Sequence, residues 1–337
     1  MSGLIRRTRE QAEQWEHDHL APAATRSTAT RGREHPEEPD RHRTEFERDR
    51  DRILHSKAFR RLKHKTQVFI NPDGDHVVTR LTHTLQVTQI GRSLARYLGL
   101  NEPLAEAICL GHDTGHSPFG HIGEDALTPY VEGEWHHAAQ SVRVFEVLEP
   151  LNLTWEVLDG IRAHSWKIDP PPATEEGMCC RFADRIAYLT HDVEDAVRAG
   201  VITWDDLPDR PKAAFGEPGP EWISTMIEAV VSHSAEVGTV AMDPDALDAM
   251  NQLRDFMFEV VYLRPEAAEQ RRRAITIIQA LVDHFVAHPD DVPDSYRHEP
   301  ADEVTRAIDY VSGMTDRFAL RQYLLLTGEK TSEIGAD

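Results

Sequence analysis

The sequence predicts an all-α protein with one short β-hairpin and a C-terminal helical extension. Apolar residues recur at the spacing of a helical face along most of the 337 residues, whereas one short stretch has the pattern of paired strands. Gly200 and the proline run 170–172 are among the residues that separate the helical stretches. Three parts are expected, namely a partly ordered N-terminal arm (1–43), a core (44–200), and a C-terminal helical region packed on the core (201–337).

The helical pattern begins at Thr44, after an arm with little periodicity. Pro22 and Pro36 interrupt the arm, and charged and small residues surround them. Thr44 and Glu47 have the spacing of a capping box, which marks a helix start. The apolar positions that follow at helical spacing are Ile53, Leu54, Ala58, Phe59 and Leu62.

One β-hairpin is expected in the segment 67–78. A strand-like run (QVFI) is followed by the turn sequence NPDGD and then by HVV. Elsewhere the pattern predicts helices over 79–98, 102–112, 137–148, 154–164, 175–199, 219–236, 243–262, 265–287 and 301–326.

The charge balance restricts the class of partner. There are 58 acidic and 37 basic residues, a net charge of −21, and a protein that coats nucleic acid needs the opposite sign. A small anionic substrate remains compatible, because a metal ion and a few arginines reverse the potential locally. The arginine-rich stretch 48–61 is expected to be a helix face that forms salt bridges.

The sequence also predicts a soluble, cytoplasmic protein without a membrane partner. Its three cysteines, Cys109, Cys179 and Cys180, form neither a disulfide framework nor a CxxC site. The N-terminus lacks the apolar segment of a secretory signal. No apolar run approaches the roughly 18–20 residues that span a bilayer.

The sharpest chemical signal is the stretch LGHDTGHSPFGH over 110–121. His112 and Asp113 follow an apolar helix, and at a helix end two adjacent side chains can reach one ion. Imidazole with carboxylate suits Mn, Fe, Co, Ni or Zn better than Mg. An isolated His-Asp pair is more often a cap or a surface pair, so its neighbours decide the interpretation.

Two further positions support a metal site. His83 lies beside the apolar stripe of its predicted helix. Asp184 lies in an apolar helix and shares one face with Tyr188 and Asp192, which follow at four-residue steps. A buried carboxylate needs a partner, because an unpaired buried charge is costly. A metal ion supplies one, and an arginine across a helix interface is the alternative.

The order His83, His112-Asp113, Asp184 resembles the metal pattern of the HD superfamily. The flanks resemble its deoxyguanosinetriphosphate triphosphohydrolase-like branch, and the resemblance covers about residues 20–326. It implies an HD-domain helical bundle as the catalytic core (44–200), with the C-terminal region closing the site. The matching blocks are 48–56, 58–69, 79–85 and 309–319.

The resemblance implies hydrolysis of deoxynucleoside triphosphates (dNTPs) to deoxynucleoside and tripolyphosphate, with water attacking the α-phosphorus. His83, His112, Asp113 and Asp184 would bind one divalent ion per site, whether Mg, Mn, Co, Ni, Fe or Zn. The expected catalytic residues are His116, Glu124 and His137. His137 or His116 would be the general acid, oriented by Glu124; many relatives read Glu-His-Asn where this chain has His136-His137-Ala138, which also makes His136 a candidate.

The resemblance also implies substrate contacts. Arg80 and Arg185 would bind the triphosphate, Tyr188 and Asp192 the deoxyribose and its 3′-hydroxyl, Gln67 the region of the sugar, and Tyr310 would close the pocket. For Tyr310 a plain core aromatic is an equal alternative.

Two alternatives remain open at this stage. The first is an HD phosphohydrolase acting on nucleoside monophosphates, cyclic nucleotides or guanosine polyphosphates. The second is a nucleotide-sensing or nucleic-acid-binding regulatory protein with a decayed site. The resemblance further implies a homo-oligomer, such as a hexamer, and leaves open a nucleotide or single-stranded nucleic acid effector.

Overall fold

The all-α fold class is confirmed. The computed structural model describes residues 3–66, 78–264, 268–298 and 300–329. Within these ranges the chain forms helices and no sheet. The helices are α1 (Arg9–His19), α2 (Glu45–His55), α3 (Lys57–Arg61), α4 (Arg80–Tyr97), α5 (Glu102–Gly111), α6 (His121–Leu127), α7 (His137–Arg143), α8 (Trp155–Ala163), α9 (Glu175–Arg198), α10 (Asp209–Phe215), α11 (Pro220–Val237), α12 (Pro244–Phe256), α13 (Ala268–Ala287), α14 (Glu303–Ser312) and α15 (Asp316–Thr327).

Most predicted helices are confirmed, and one is wrong. The range 301–326 was expected as a single helix, but α14 ends at Ser312 and α15 begins at Asp316. Thr315 explains the break, because its side chain accepts a hydrogen bond from Phe318 N and so caps a new helix. The pattern also missed α1, α6 and α10.

The predicted β-hairpin lies outside the described residues, apart from Val78. Thr66 and Thr79, which flank the undescribed segment, form an isolated antiparallel bridge. No described helix has both the length and the apolar character needed to cross a membrane.

The arm contains one helix, and the buried carboxylate of Glu16 on this helix bonds the segment that follows it. Thr8 and Gln11 form a capping box at the start of α1. The Glu16 carboxylate accepts hydrogen bonds from Ser27 N (2.7 Å) and Ser27 Oγ (2.8 Å). The division at 43/44 and 200/201 stays a prediction, since the contacts within the chain group the residues differently.

The contacts divide the chain into two compact units, which we describe separately. Unit 1 comprises residues 1–56, 84–112 and 151–257. Its core is built on α5, which packs against α2, α8 and α9. Gly111 and Gly160 allow α5 and α8 to approach closely, because a Cβ at either position would overlap an isoleucine of the other helix.

Unit 2 comprises residues 57–83, 113–150 and 258–337. Its apolar core lies among α6, α13, α14 and α15 and includes Phe119, Leu127, Ile278, Leu281 and Val311.

A fully buried lysine links three segments of unit 2. Lys65 Nζ donates to the carbonyl oxygens of His116 and Ser312, the latter at 2.9 Å. The neighbouring Thr66 N donates to Asp316 Oδ2 (2.9 Å), and Phe119 N donates to Asp316 Oδ1 (3.1 Å). These bonds fix the loop that carries His116.

Candidate active site

The loop after α5 turns tightly against α7. Gly115 N donates to Ser141 Oγ at 2.9 Å. A Cβ at Gly115 would overlap the backbone of Gln140 and Ser141, so only glycine fits this approach. Gly120 has a positive φ of 62°, which favours glycine, just before α6 begins. The loop thereby brings His116 beside α6 and α7 of unit 2.

Three histidines surround Glu124 in unit 2. The Glu124 carboxylate accepts from His137 N (2.8 Å) and lies 2.7 Å from both His137 Nδ1 and His121 Nδ1. The His116 ring stacks on the His137 ring at 4.4 Å. The structure therefore brings together the three predicted catalytic residues, and it adds His121, which sequence reasoning did not assign.

The electrostatics of this cluster follow from burial and from Glu124. Burial opposes ionisation of Glu124, but the adjacent His137 and His121 hold the pKa of its carboxyl well below the ordinary value. Burial also lowers the pKa of His137, but Glu124 outweighs it and the net shift is upward. Burial, with Arg80 next, lowers the pKa of His116 far below the ordinary value. Both ring nitrogens of His116 are buried without a hydrogen-bond partner among the described residues.

Asp113 connects this cluster to the start of α4. Its Oδ2 accepts from Arg80 Nη1 at 2.6 Å and lies 3.9 Å from His83 Nε2. Its Oδ1 lies 3.7 Å from His137 Nε2. Arg80 is thus paired with a carboxylate inside the protein.

In unit 1, His112 lies opposite Asp184, with 3.8 Å between Nε2 and Oδ1. His112 Nδ1 is 2.7 Å from the carbonyl oxygen of Cys109, which makes Nδ1 the donor and Nε2 the acceptor of the ring. His164 has the same arrangement with Ile161 at 2.7 Å, and its ring lies edge-on to His112 at 4.9 Å. The sequence analysis did not single out His164. It follows the end of α8 as His112 follows the end of α5, and this shared position could have pointed to it.

Helix α9 supplies a row of polar side chains on one face. Asp192 is buried, and burial raises the pKa of Tyr188 to about 12. Arg185 Nη1 donates to Asn251 Oδ1 at 2.9 Å. Its guanidinium lies 3.9 Å from the centre of the Trp166 ring. Burial lowers the pKa of Arg185, so its charge is poorly solvated.

All the predicted substrate contacts stay predictions, including the two that remain to be placed. Gln67 lies outside the described residues. Tyr310 is partly buried in an aromatic cluster of unit 2, with ring centres 4.9 Å from Phe285, 5.2 Å from Tyr296 and 6.5 Å from Phe318.

The donor atoms fit a divalent metal ion. Two ligand atoms bound at about 2.1 Å to one ion are at most roughly 4.2 Å apart. The pairs His83–Asp113 (3.9 Å) and His112–Asp184 (3.8 Å) meet that limit. In unit 2, one atom from each of His116, His121, Glu124 and His137 also lies within 4.8 Å of the others. Imidazole with carboxylate is a common donor set for first-row transition ions.

The similarity to protein families agrees with this chemistry. Residues 80–189 match the HD domain, and residues 240–324 match the phosphohydrolase-associated domain. With the all-α fold and the histidine–carboxylate pairs, these matches define an HD-domain phosphohydrolase.

More narrowly, the chain belongs to the deoxyguanosinetriphosphate triphosphohydrolase-like family. It is 46% identical over 323 residues to the protein of that name from Caldanaerobacter subterraneus subsp. tengcongensis, covering 94% of this chain and 95% of the relative. The Clostridium perfringens relative is 43% identical (94% and 96% covered), and that of Cereibacter sphaeroides is 37% identical (92% and 100% covered). A crystal structure of a hypothetical protein from Aquifex aeolicus matches at 20% identity and a TM-score of 0.48, covering 84% of this chain and 68% of that one.

Proposed function

We propose that the protein hydrolyses deoxynucleoside triphosphates to deoxynucleoside and tripolyphosphate, with water attacking the α-phosphorus. The observation that carries the proposal is the placement of His137. Glu124 contacts its Nδ1, and its Nε2 lies 3.7 Å from Asp113, an expected metal ligand. Hydrolysis at the α-phosphorus releases the 5′-oxygen, and such a leaving group requires a proton donor beside the metal.

We further propose that His83, His112, Asp113 and Asp184 bind one divalent ion. The two pairs described above, His83 with Asp113 (3.9 Å) and His112 with Asp184 (3.8 Å), support this ligand set. When bound, the ion would polarise a phosphoryl oxygen and lower the pKa of a bound water. The identity of the ion is left to experiment, among Mg, Mn, Co, Ni, Fe and Zn.

His137 is the proposed general acid, with Glu124 as the residue that orients its ring. His116, which stacks on His137, is the second candidate. His136 is the weaker one, because its Nε2 lies 3.6 Å from Glu134, an exposed residue, and not beside Glu124. This chain has Ala138 where many relatives have asparagine, and Glu124 contacts the His137 ring at Nδ1.

The proposed substrate contacts divide into those for the triphosphate and those for the sugar. Arg185 and Arg80 are proposed for the triphosphate, and Tyr188 and Asp192 for the deoxyribose and its 3′-hydroxyl. Gln67 and Tyr310 are proposed for the sugar region and for closure of the pocket. We also propose a homo-oligomer such as a hexamer, which light scattering after size-exclusion chromatography would test, with and without nucleotide.

Product analysis tests the function. The protein is incubated with each of the four dNTPs and Mg²⁺, Mn²⁺ or Co²⁺, and ion-exchange chromatography resolves the products. Tripolyphosphate is the expected product, whereas orthophosphate or pyrophosphate would favour another HD phosphohydrolase activity. Absence of any product with all three ions would favour a regulatory protein.

Two variants tie the activity to the site. The double variant His112→Ala/Asp113→Ala is expected to lose both turnover and bound metal, and full turnover would refute the assignment. Glu124→Ala is expected to lower kcat by roughly 10²–10⁴-fold while metal content is retained, since it removes the residue that orients the acid.

A further inference from the structure

Two buried arginines on α9 form no ion pair with the residues that the structure describes, although Asp169 is near enough for its charge to act on Arg181. The exposed fractions of Arg181 and Arg185 are 7% and 6%. Among the described residues no carboxylate lies within ion-pair distance of either guanidinium, and both Nε atoms are buried without a hydrogen-bond partner. Their hydrogen bonds reach neutral oxygens, at Ile168 O (3.4 Å) and Asn251 Oδ1 (2.9 Å). Because buried charge without compensation is costly, the pair indicates a ligand of opposite sign.

The guanidinium groups of both arginines stack on the Trp166 ring. The ring centre lies 3.9 Å from Arg185 and 5.0 Å from Arg181. The indole is itself fixed, because its Nε1 donates to Arg181 O at 3.0 Å and Phe182 packs edge-on at 5.2 Å. Such stacking orders two flexible side chains in advance, which lowers the entropic cost of binding.

Along α9 the expected metal ligand Asp184 lies between the two arginines. Arg185 follows Asp184 directly, and Arg181 precedes it by three residues, so all three lie on one side of α9. The arginines are separated by about 6 Å along the helix axis. The side chain of Asp184 is 18% exposed, which gives this face access to solvent. In rise along the helix Arg185 is about 1.5 Å from Asp184 and Arg181 about 4.5 Å, so Arg181 is the arginine farther from the expected metal ligand.

We propose that Arg181 binds the terminal phosphate of the substrate's triphosphate chain and that Trp166 positions its guanidinium. This inference rests on the proposed function and deepens it, because it makes the site selective for substrates with a polyphosphate chain over monophosphates. A planar guanidinium suits this role, since it donates two parallel hydrogen bonds to phosphate oxygens.

Calorimetric titration with inorganic polyphosphates tests the inference directly. Tripolyphosphate, pyrophosphate and orthophosphate are titrated into the full-length protein as purified, without added metal, because free divalent ions bind tripolyphosphate. Arg181→Gln is expected to weaken tripolyphosphate binding roughly 10- to 100-fold and to leave orthophosphate binding unchanged. Arg198→Gln is the matched control on the same helix, since Arg198 is exposed and pairs with Asp195 at 2.5 Å.

Arg181→Lys keeps the result interpretable if the glutamine variant does not fold. Lysine retains the charge but not the planar fork, so an intermediate loss of tripolyphosphate affinity is expected. With dNTPs, both variants should raise KM more than they lower kcat. Wild-type tripolyphosphate affinity in a folded Arg181 variant would overturn the inference, as would an equal loss for orthophosphate.

The two proposals fail in different experiments. If the wild-type protein releases orthophosphate or pyrophosphate from dNTPs, the proposed function is wrong. That result does not involve Arg181, and the polyphosphate titrations still decide whether Arg181 binds the end of a phosphate chain.

Discussion

Arginines occur in two contrasting settings within unit 1. In the arm and α2, each buried arginine meets carboxylates of the protein itself: Arg33 pairs with Glu45 and Asp49, and Arg48 pairs with Glu37 and Glu45. On α9, Arg181 and Arg185 are buried as deeply but meet an indole and neutral oxygens. From this difference we expect the paired arginines of the arm and α2 to stabilise the fold, and Arg181 and Arg185 to bind a ligand.

Removing a paired arginine is expected to have the largest effect on stability. Arg33→Met leaves Asp49, which is fully buried, without its cation, and leaves Glu45 with Arg48 alone. Breaking a buried pair in this way costs about 3 kcal/mol of the free energy of unfolding, because an uncompensated charge stays buried. Urea denaturation measures it, with Arg7→Met, in the exposed N-terminal stretch, as the control. A loss below about 1 kcal/mol would contradict this account of the arm.

Binding of an anionic ligand to the unpaired arginines should raise the free energy of unfolding. Tripolyphosphate at 100 times its Kd is expected to raise the free energy of unfolding of the wild-type protein by about 2.7 kcal/mol. At the same concentration Arg181→Gln should gain about 1.4 kcal/mol or less, given the weaker binding. The measurement is denaturation with and without the ligand. Equal gains in both proteins would remove the distinction between the two sets of arginines.

Removing an unpaired arginine should change the free energy of unfolding only slightly. Arg181→Met gives up a cation–π contact but also relieves an uncompensated buried cation, so the free energy of unfolding is expected to change by less than about 1 kcal/mol. This is the same substitution as Arg33→Met, and the two variants are compared in one urea series. A loss as large as that of Arg33→Met would make Arg181 a structural residue.

The smallest expected effect is the pH dependence of the contribution that Glu37, in the arm, makes to stability. The pKa of Glu37 is lowered to about 2, chiefly by the hydrogen bond from Arg52. Asn152 and Arg48 lower it further, and burial opposes them with an effect smaller than that of Arg52. Because the folded-state pKa lies below the unfolded one, the contribution of Glu37 is complete above about pH 4.5 and is lost as the pH falls toward 2. Solvent screening limits it to about 1 kcal/mol or less.

The Glu37 contribution is measured by comparing the wild-type protein with Glu37→Gln between pH 6 and pH 3. The difference in stability should shrink as the pH falls, and 1 M salt should reduce it at every pH. A difference that grows on acidification would contradict the sign of the shift.

Local signals in the sequence were enough for most of the fold. The Thr44–Glu47 capping box and the apolar period of α5 and α9 are read from neighbouring residues, and the structure confirms these helices. The salt-bridged face expected for α2 is also confirmed, by Arg48 and Arg52. Helix α6 was missed because it has seven residues and begins after Gly120, which offers no side-chain cap.

The candidate site was predictable in its residues but not in its pairings. The HD pattern singled out His112, and the family resemblance singled out Glu124. That Glu124 bonds His137, or that Arg181 stacks on Trp166, depends on chain segments that only folding brings together. Arg181 was overlooked because an arginine in a helix usually forms a salt bridge, and its lack of a partner is visible only in three dimensions.

Lys65 has a consequence for how the protein is made. Its Nζ donates to the carbonyl oxygen of Ser312, 247 positions further along the chain, while Asp316 accepts hydrogen bonds from Thr66 and Phe119. During translation the loop that carries His116 therefore emerges long before the residues that fasten it. A nascent chain can therefore form these bonds only after residues 312–316 have left the ribosome.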